Sequence, residues 1–194
     1  MKRFMLIIFV GIIFTNIGFS QNVKADKYTV EDSTRVIISH SKNLYSEWAS
    51  GASFSVEYCQ TNNSEFWFLS LCLNEGKRTI DKGRKMLLKF EDGSIIELEN
   101  SEEIGLADYE YEVTSYGTNY YTYPSYNITE EQIQKIIDGN VVKVRIEINT
   151  GYLDREIKGK KKKSVKGRMS EDMKELYDNV KAASLQKKSI YDDF

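Results

Sequence analysis

The chain has 194 residues, with 27 basic and 29 acidic side chains, one histidine and two cysteines. This length suits one domain with a hydrophobic core, and the nearly balanced charge gives no overall attraction for nucleic acid or an anionic membrane. Thirteen tyrosines, nine phenylalanines and a single proline are typical of a strand-rich globular domain and argue against disorder.

The first twenty residues have the pattern of a secretory signal peptide. Lys2 and Arg3 precede an apolar run, and the small residues Gly18 and Ser20 lie three and one positions before the predicted cut. We expect residues 1–20 to be removed and the mature protein to be exported to a periplasmic, cell-surface or secreted location. An uncleaved anchor is the alternative, but residues 4–19 would span only about 24 Å of a hydrocarbon core about 30 Å thick. We expect no membrane span in the mature chain.

Residues 21–33 are polar and weakly patterned, so we interpret them as a leader into a single domain, 34–190, followed by a tail, 191–194. At the start of the domain Ile37, Leu44 and Trp48 would share one face of a helix. The run 36–38 suits a short strand equally well, so both interpretations stay open.

Two alternating segments predict a first hairpin, with Phe54, Val56 and Tyr58 in one and Trp67, Leu69, Leu71 and Leu73 in the other. A two-residue turn at 62–63 would pair Tyr58 with Trp67, Val56 with Leu69 and Phe54 with Leu71. This register leaves the two cysteines, Cys59 and Cys72, six positions apart. At about 3.3 Å per residue they are roughly 20 Å apart, whereas a disulfide needs Cα atoms within about 7 Å, so we expect two thiols.

A second hairpin is predicted over residues 86–99, with a three-residue loop at 91–93 and Gly93 in the left-handed conformation. This loop would pair Leu88 with Ile96 and Met86 with Leu98 inside, and Lys85 with Glu99 outside.

The segment 109–126 holds seven tyrosines. It predicts two more strands, which are joined near 117–119 and ended by Pro124. A helix start follows, because Thr129 and Gln132 have the spacing of a capping box, with Ile128 and Ile133 as a hydrophobic staple. Its apolar stripe consists of Ile133, Ile136 and Ile137, and Gly139 is predicted to stop the helix in the left-handed conformation.

Residues 141–148 alternate as a central strand with Val142, Val144, Ile146 and Ile148 on one face. Ser170 is predicted to cap a final helix with the apolar stripe Met173, Leu176, Tyr177, Val180 and Ala183. The predicted fold class is α+β, with about seven mostly antiparallel strands in a partly open barrel or a two-layer sandwich. A short helix would precede the last long strand, and the C-terminal helix would pack on the sheet.

The tyrosine cluster supplies the predicted ligand-binding residues, because tyrosine offers a large contact area and a polar tip at low entropic cost. The alternative is that these tyrosines merely pack across strands. The candidates are Tyr116, Tyr120, Tyr121, Tyr123 and Tyr126.

A basic run at 158–168 is the candidate for attachment to an anionic surface, with Lys160, Lys161, Lys162 and Lys163 at its centre. The alternative is a solvated loop. No aromatic residue is interleaved for base stacking, so we expect no nucleic-acid partner.

The sequence offers only weak catalytic candidates. His40 is the single histidine and would have to serve alone as a base, while Glu97 with Glu99, or Asp108 with Glu110 and Glu112, alternate along predicted strands. We predict no metal site and no cofactor. Two glycosylation sequons, at Asn62 and Asn127, would matter only if the secretory route of the host modifies them.

The leading functional hypothesis is an exported, non-enzymatic binding or structural module whose partner is a glycan or a protein at the cell surface. One alternative is a carboxylate-based hydrolase acting on sugars. The other is attachment to an anionic surface through the Lys-rich loop.

Overall fold

The computed structural model describes residues 22–29, 34–46, 50–61, 64–105, 108–157 and 168–191. These residues form a β-rich α+β fold of mostly antiparallel strands with two helices, as the sequence predicted. The described strands are β1 Val23–Thr29, β2 Thr34–Ser39, β3 Lys42–Ser46, β4 Gly51–Gln60, β5 Glu65–Asn74, β6 Lys85–Phe90, β7 Ile95–Glu99, β8 Glu110–Thr114, β9 Gly117–Tyr121, β10 Ser125–Ile128, β11 Val141–Ile148 and β12 Gly151–Glu156, and the helices are α1 Glu130–Asp138 and α2 Arg168–Tyr191.

The larger sheet has the order β1-β2-β4-β5-β10, with β3 also paired to β4. Its central hairpin, β4–β5, has the predicted register, with Tyr58 opposite Trp67 and Phe54 opposite Leu71. On both strands the inward positions are apolar at every second residue, so a slip by one residue would expose the whole inward set. The turn residues 62–63, including the sequon at Asn62, lie outside the described residues.

The two cysteines lie on this hairpin as the register requires. Cys59 is opposite Phe66 and Cys72 is opposite Ser53, and both residues are half-buried thiols.

The N-terminal part of the domain differs from the sequence interpretation. Residues 23–29, assigned to a polar leader, form strand β1 and pair with β2. The segment that suited either a helix or a strand forms the two strands β2 and β3. Trp48 lies outside the described residues. Strand β1 is an edge strand with one neighbour, and its sequence has no alternation of apolar residues that would have predicted it.

The smaller sheet has the order β12-β11-β6-β7. Its β6–β7 hairpin has the predicted register, and Gly93 adopts a φ of 85°, which favours glycine. Lys85 is opposite Glu99 as predicted, although its ammonium group binds the diagonal carboxylate of Glu97 at 2.7 Å.

Strand β11 is central, between β6 and β12, but its predicted inner face was wrong at one position. A bulge between Val141 and Lys143 shifts the register, so Val141 is buried and Val142 is only half-buried. Val144, Ile146 and Ile148 are buried as expected. Strand β12 was not predicted, because its run Gly-Tyr-Leu-Asp-Arg-Glu contributes one buried apolar residue, Leu153.

Helix α1 begins with the predicted capping box. The Gln132 N–H donates to Thr129 Oγ1, and the Thr129 N–H donates to the side chain of Gln132. Ile133 and Ile136 are buried, and Ile137 packs at the edge of the core. The left-handed stop at Gly139 was wrong, because that residue is extended, with φ −98° and ψ 177°.

Helix α2 packs against α1 and against β1, β2 and β4. Its predicted stripe is confirmed, since Met173, Leu176, Tyr177 and Val180 are buried and Ala183 packs against the core. Ser170 lies inside the helix rather than at its cap, and its hydroxyl donates to the carbonyl of Ile137 in α1.

The inward faces of both sheets and the two helices contribute to one continuous hydrophobic core. The two sheets approach each other where β7 and β10 are neighbours, joined by a bridge between Asn100 and Tyr126. In the part of the chain that the structure describes, no helix has the length and apolar character needed to cross a bilayer. The predicted signal peptide, 1–20, lies outside those residues.

Candidate functional site

The tyrosine-rich segment forms a separate two-stranded ribbon, β8–β9, which we call the tyrosine hairpin. Its turn consists of residues 115–116, two positions before the predicted one at 117–119, because Thr114 pairs with Gly117. The Thr114 hydroxyl donates to the Gly117 carbonyl at 2.9 Å and accepts from the Tyr116 N–H at 3.2 Å. Gly117, with a φ of 136°, closes the turn instead of forming its centre.

One face of the tyrosine hairpin is apolar and exposed. The register places Tyr111 opposite Tyr120 and Val113 opposite Thr118 on this face. Tyr111 is 70% exposed, Val113 72%, and Tyr116 at the tip 99%. Adjacent apolar side chains left in water in this way commonly mark an interaction site.

Tyr120 lies on the same face, at the end of the hairpin nearest the rest of the protein, and is half-buried. Its ring has Lys77 Nζ at 4.8 Å on one side and the Tyr109 ring edge-on at 6.4 Å. The Lys77 contact links the hairpin to the loop after β5.

The opposite face of the hairpin is polar. The Tyr123 hydroxyl donates to Glu110 at 2.6 Å, and the Tyr121 hydroxyl donates to Glu112 at 3.1 Å. Burial, reinforced by these hydrogen bonds, raises the pKa of both tyrosines above the ordinary value. The predicted carboxylate pair Glu110 and Glu112 is therefore engaged by phenol groups, while Asp108 lies in the preceding loop and accepts from the Gly105 N–H.

The prediction that Tyr126 belongs to the ligand-binding set was wrong. It lies on β10, opposite Leu69, and is 0% exposed in the core. Its hydroxyl is buried with no hydrogen-bond partner among the described residues, and burial raises its pKa. The side chain faces inward because β10 pairs with β5, which the sequence did not predict, and a ligand at the surface does not reach it.

Two further candidates were predicted, His40 and the basic run. His40 is exposed between β2 and β3, and its described contact is the Ser39 hydroxyl donating to the His40 carbonyl. The lysines of the basic run, 160–163, lie outside the described residues.

A second feature was missed by the sequence interpretation: an open acidic cleft of about 810 Å³ between the β5–β10 edge and β7. Glu97 and Glu99, predicted as a pair, both line it. They are joined there by residues from distant parts of the chain, namely Glu65, Phe66, Trp67, Asn127, Ile128, Thr129, Glu130 and Gln132. No sequence pattern joins these segments, because the two sheets bring them together only on folding.

Lysines just outside the acidic cleft bind two of its carboxylates. Lys85 binds Glu97 at 2.7 Å, and Lys181 binds Glu130 at 3.0 Å. Hydrogen bonds from Tyr177 and then Lys181 lower the pKa of Glu130. The charge of Glu130 is therefore compensated by Lys181 within the protein.

Within the described ranges, no group of three or more His, Cys, Asp or Glu side chains is placed to hold a metal ion. Comparisons with protein-family models, with curated proteins and with solved structures found no match to this chain.

Proposed function

We propose that the protein is an exported, non-enzymatic binding module that contacts a glycan or a protein at the cell surface through the exposed face of the tyrosine hairpin. The observation that carries the proposal is the exposure of Tyr111 and Val113 on one face of a two-stranded ribbon, with the exposed Tyr116 at its tip. A tyrosine ring presents a large, rigid contact area with only two rotatable bonds, which suits recognition.

A carboxylate-based sugar hydrolase is the second candidate, because Glu97 and Glu99 line a cleft. Such an enzyme needs one carboxylic acid kept protonated by a raised pKa beside an ionised partner. In the acidic cleft, Glu97 is bound by Lys85 and Glu130 has a lowered pKa. These contacts support binding over acid catalysis.

Attachment to an anionic surface through Lys160–Lys163 stays a separate proposal, since it depends on residues outside the described ranges. It predicts heparin or lipopolysaccharide affinity that is lost when all four lysines are changed to Ala. Affinity that survives this change would refute it.

For the scaffold, we infer a partly open barrel in preference to a two-layer sandwich. Two contacts between the sheets support the barrel: the Asn100–Tyr126 bridge beside β7 and β10, and the Arg155–Glu75 ion pair of 2.7 Å between β12 and the end of β5. Export is tested by N-terminal sequencing of the protein from its native host. The proposal expects Gln21 as the first residue, and an intact Met1 would contradict it.

The binding proposal is tested with a Tyr111→Ala/Tyr116→Ala variant in glycan-array and pull-down assays on the mature protein. The matched control is Tyr152→Ala on β12, because Tyr152 is 61% exposed but distant in sequence from the hairpin. Binding that is lost in the double variant and retained in the control is the expected result. Equal binding by all three proteins would remove the hairpin as the recognition surface.

A further inference from the structure

Strand β8 is an open edge of the tyrosine hairpin. Among the described residues it pairs only with β9, and the ladder between them contains no bulge. Thr114 and Gly117 flank the two-residue turn, so they form the hydrogen-bonded pair that closes it. Hydrogen-bonded and non-hydrogen-bonded pairs alternate along an antiparallel ladder. The backbone N–H and C=O groups of Tyr111 and Val113 therefore point away from β9.

The outward backbone groups lie on the same two residues whose side chains are exposed. Within the described part of the chain, the N–H and C=O groups of Tyr111 and Val113 have no hydrogen-bond partner. Their side chains are 70% and 72% exposed. Soluble proteins often block an edge strand with a proline or a bulge, because an open edge pairs readily with another strand. Strand β8 has neither, so it offers both the backbone and the apolar side chains that an added strand requires.

The opposite face of β8 determines which charge such a strand carries. Glu110 and Glu112 lie on this face, where they accept hydrogen bonds from the neutral phenols of Tyr123 and Tyr121. Residues directly opposite one another in an antiparallel pair share a face, and unlike charges at such positions attract. Pairing of β8 with the β8 of a second copy, centred on Glu112, would instead set like charges opposite one another. Charge complementarity therefore favours a basic strand over a second copy.

We propose that β8 accepts an extended, antiparallel segment of a partner protein in which basic residues alternate with apolar ones. The basic side chains lie beside Glu110 and Glu112, and the apolar side chains lie beside Tyr111 and Val113. This inference rests on the proposed function of the tyrosine hairpin. It selects a protein over a glycan as the ligand, because a sugar cannot extend the hydrogen-bonded ladder of a sheet.

The test titrates an eight-residue peptide of alternating lysine and valine into the protein and measures its affinity by isothermal titration calorimetry. Saturable binding is expected, together with slower hydrogen exchange at the amides of Tyr111 and Val113. A peptide of alternating glutamate and valine is expected to bind at least about tenfold more weakly, because its acids would lie opposite Glu110 and Glu112.

Two N-methylated versions of the lysine-valine peptide test backbone pairing without any change to the protein. In the antiparallel arrangement the valine N–H groups face β8 and the lysine N–H groups face solvent. Methyl groups on the valine nitrogens are expected to weaken binding at least about tenfold, because they remove these donors and obstruct the edge. Methyl groups on the lysine nitrogens are expected to leave the affinity almost unchanged.

Val113→Pro blocks the same edge from the side of the protein. Proline removes only the outward N–H of this position, since the ladder bonds to β9 come from the neighbouring Glu112 and Thr114. The matched control is Val113→Thr, which keeps the N–H and a β-branched side chain. At least about tenfold weaker peptide binding is expected for the proline variant and nearly wild-type binding for the threonine variant. Urea unfolding checks that both variants are folded.

Equal binding by the two N-methylated peptides would overturn the inference, as would the absence of saturable binding by the unmodified peptide. Formation of a dimer of the protein that Val113→Pro dissociates, measured by light scattering, would show that a second copy occupies the edge and would also overturn it.

Failure of this inference is distinguishable from failure of the proposed function. Val113→Pro keeps Tyr111 and Tyr116, so a ligand held by the tyrosine rings alone still binds it. Ligands that are lost by Tyr111→Ala/Tyr116→Ala but retained by Val113→Pro would support recognition through the hairpin and contradict strand addition. Ligands retained by both variants would contradict recognition through the hairpin as well.

Discussion

At the level of single residues, Gly139 is required for space and not for its backbone conformation. A Cβ added there would lie 2.6 Å from two carbons of the Phe90 ring and 2.8 Å from the Lys135 carbonyl. We expect Gly139→Ala to lower the free energy of unfolding by about 1–3 kcal/mol, because a packed ring must move. Urea unfolding measures this change.

Gly105→Ala is the matched control for Gly139→Ala, since among the described residues its Cβ would meet only Asp108 Oδ2, at an ordinary 3.5 Å. A Phe90→Leu background should reduce the cost of Gly139→Ala. An equal cost with and without the Phe90 ring would show that the clash with this ring is not the cause.

Asp154 gives a pH dependence at the residue scale. Hydrogen bonds from Arg145, at 2.6 and 2.7 Å, and from Lys143, at 2.9 Å, hold its pKa well below the ordinary value. A carboxyl whose pKa is lower in the folded state stabilises the fold above its unfolded pKa of about 3.9, and this contribution is lost as the pH falls. The contribution is modest, because about a third of the side chain is exposed.

We therefore expect Asp154→Asn to lower the urea midpoint at neutral pH, with a difference from wild type that shrinks steadily from about pH 5 to about pH 3. Asp178→Asn, in an exposed helical pair with Lys174, is the comparison and should have a smaller effect at neutral pH. A difference for Asp154→Asn that is constant over this range would contradict the assignment.

At the level of elements, Arg35 fixes helix α2 to the larger sheet. The side chain is nearly buried, binds both oxygens of Asp26 at 3.0 and 2.9 Å, and donates to the carbonyls of Ala183 and Ser184. Replacing it by Met removes four hydrogen bonds and leaves a carboxylate without this cation.

For Arg35→Met we expect a loss of about 2–3 kcal/mol in the free energy of unfolding, measured by urea denaturation. Arg84→Met removes an exposed ion pair of 3.7 Å and should cost at most about 1 kcal/mol. Similar small effects of both substitutions would mean that Arg35 does not hold the helix.

The tyrosine hairpin is expected to be separable from the scaffold. Glu110 and Tyr121 are register partners, so Asn-Gly in place of residues 111–120 would join them by a two-residue turn of the favoured type. Because most side chains of the ribbon are exposed, the shortened protein should keep the urea midpoint of the wild type within a small margin. A large loss of cooperativity would show that the hairpin is part of the folding unit.

At the level of the whole molecule, local patterns were sufficient for some elements and not for others. The β4–β5 and β6–β7 registers and the capping box of α1 each depend on residues close in sequence, and each was predicted correctly. Strands β1 and β12 are polar edge strands whose own sequences have no apolar alternation, so sequence analysis did not predict them.

For the candidate surfaces too, local sequence predicted some features, and others depend on contacts between distant segments. The concentration of tyrosines indicated the hairpin, but the burial of Tyr126 depends on the pairing of β10 with β5, which no local pattern predicts. The acidic cleft combines residues 65–67, Glu97, Glu99, 127–130 and Gln132, so its position follows only from the approach of the two sheets.

Recognition through the tyrosine hairpin is tested most directly by comparing the wild-type protein with the Asn-Gly shortened protein in parallel glycan-array and pull-down assays. Ligands that bind the wild-type protein and are lost by a shortened protein of equal stability are the predicted result. The same set of ligands on both proteins, or none on either, would contradict recognition through the hairpin.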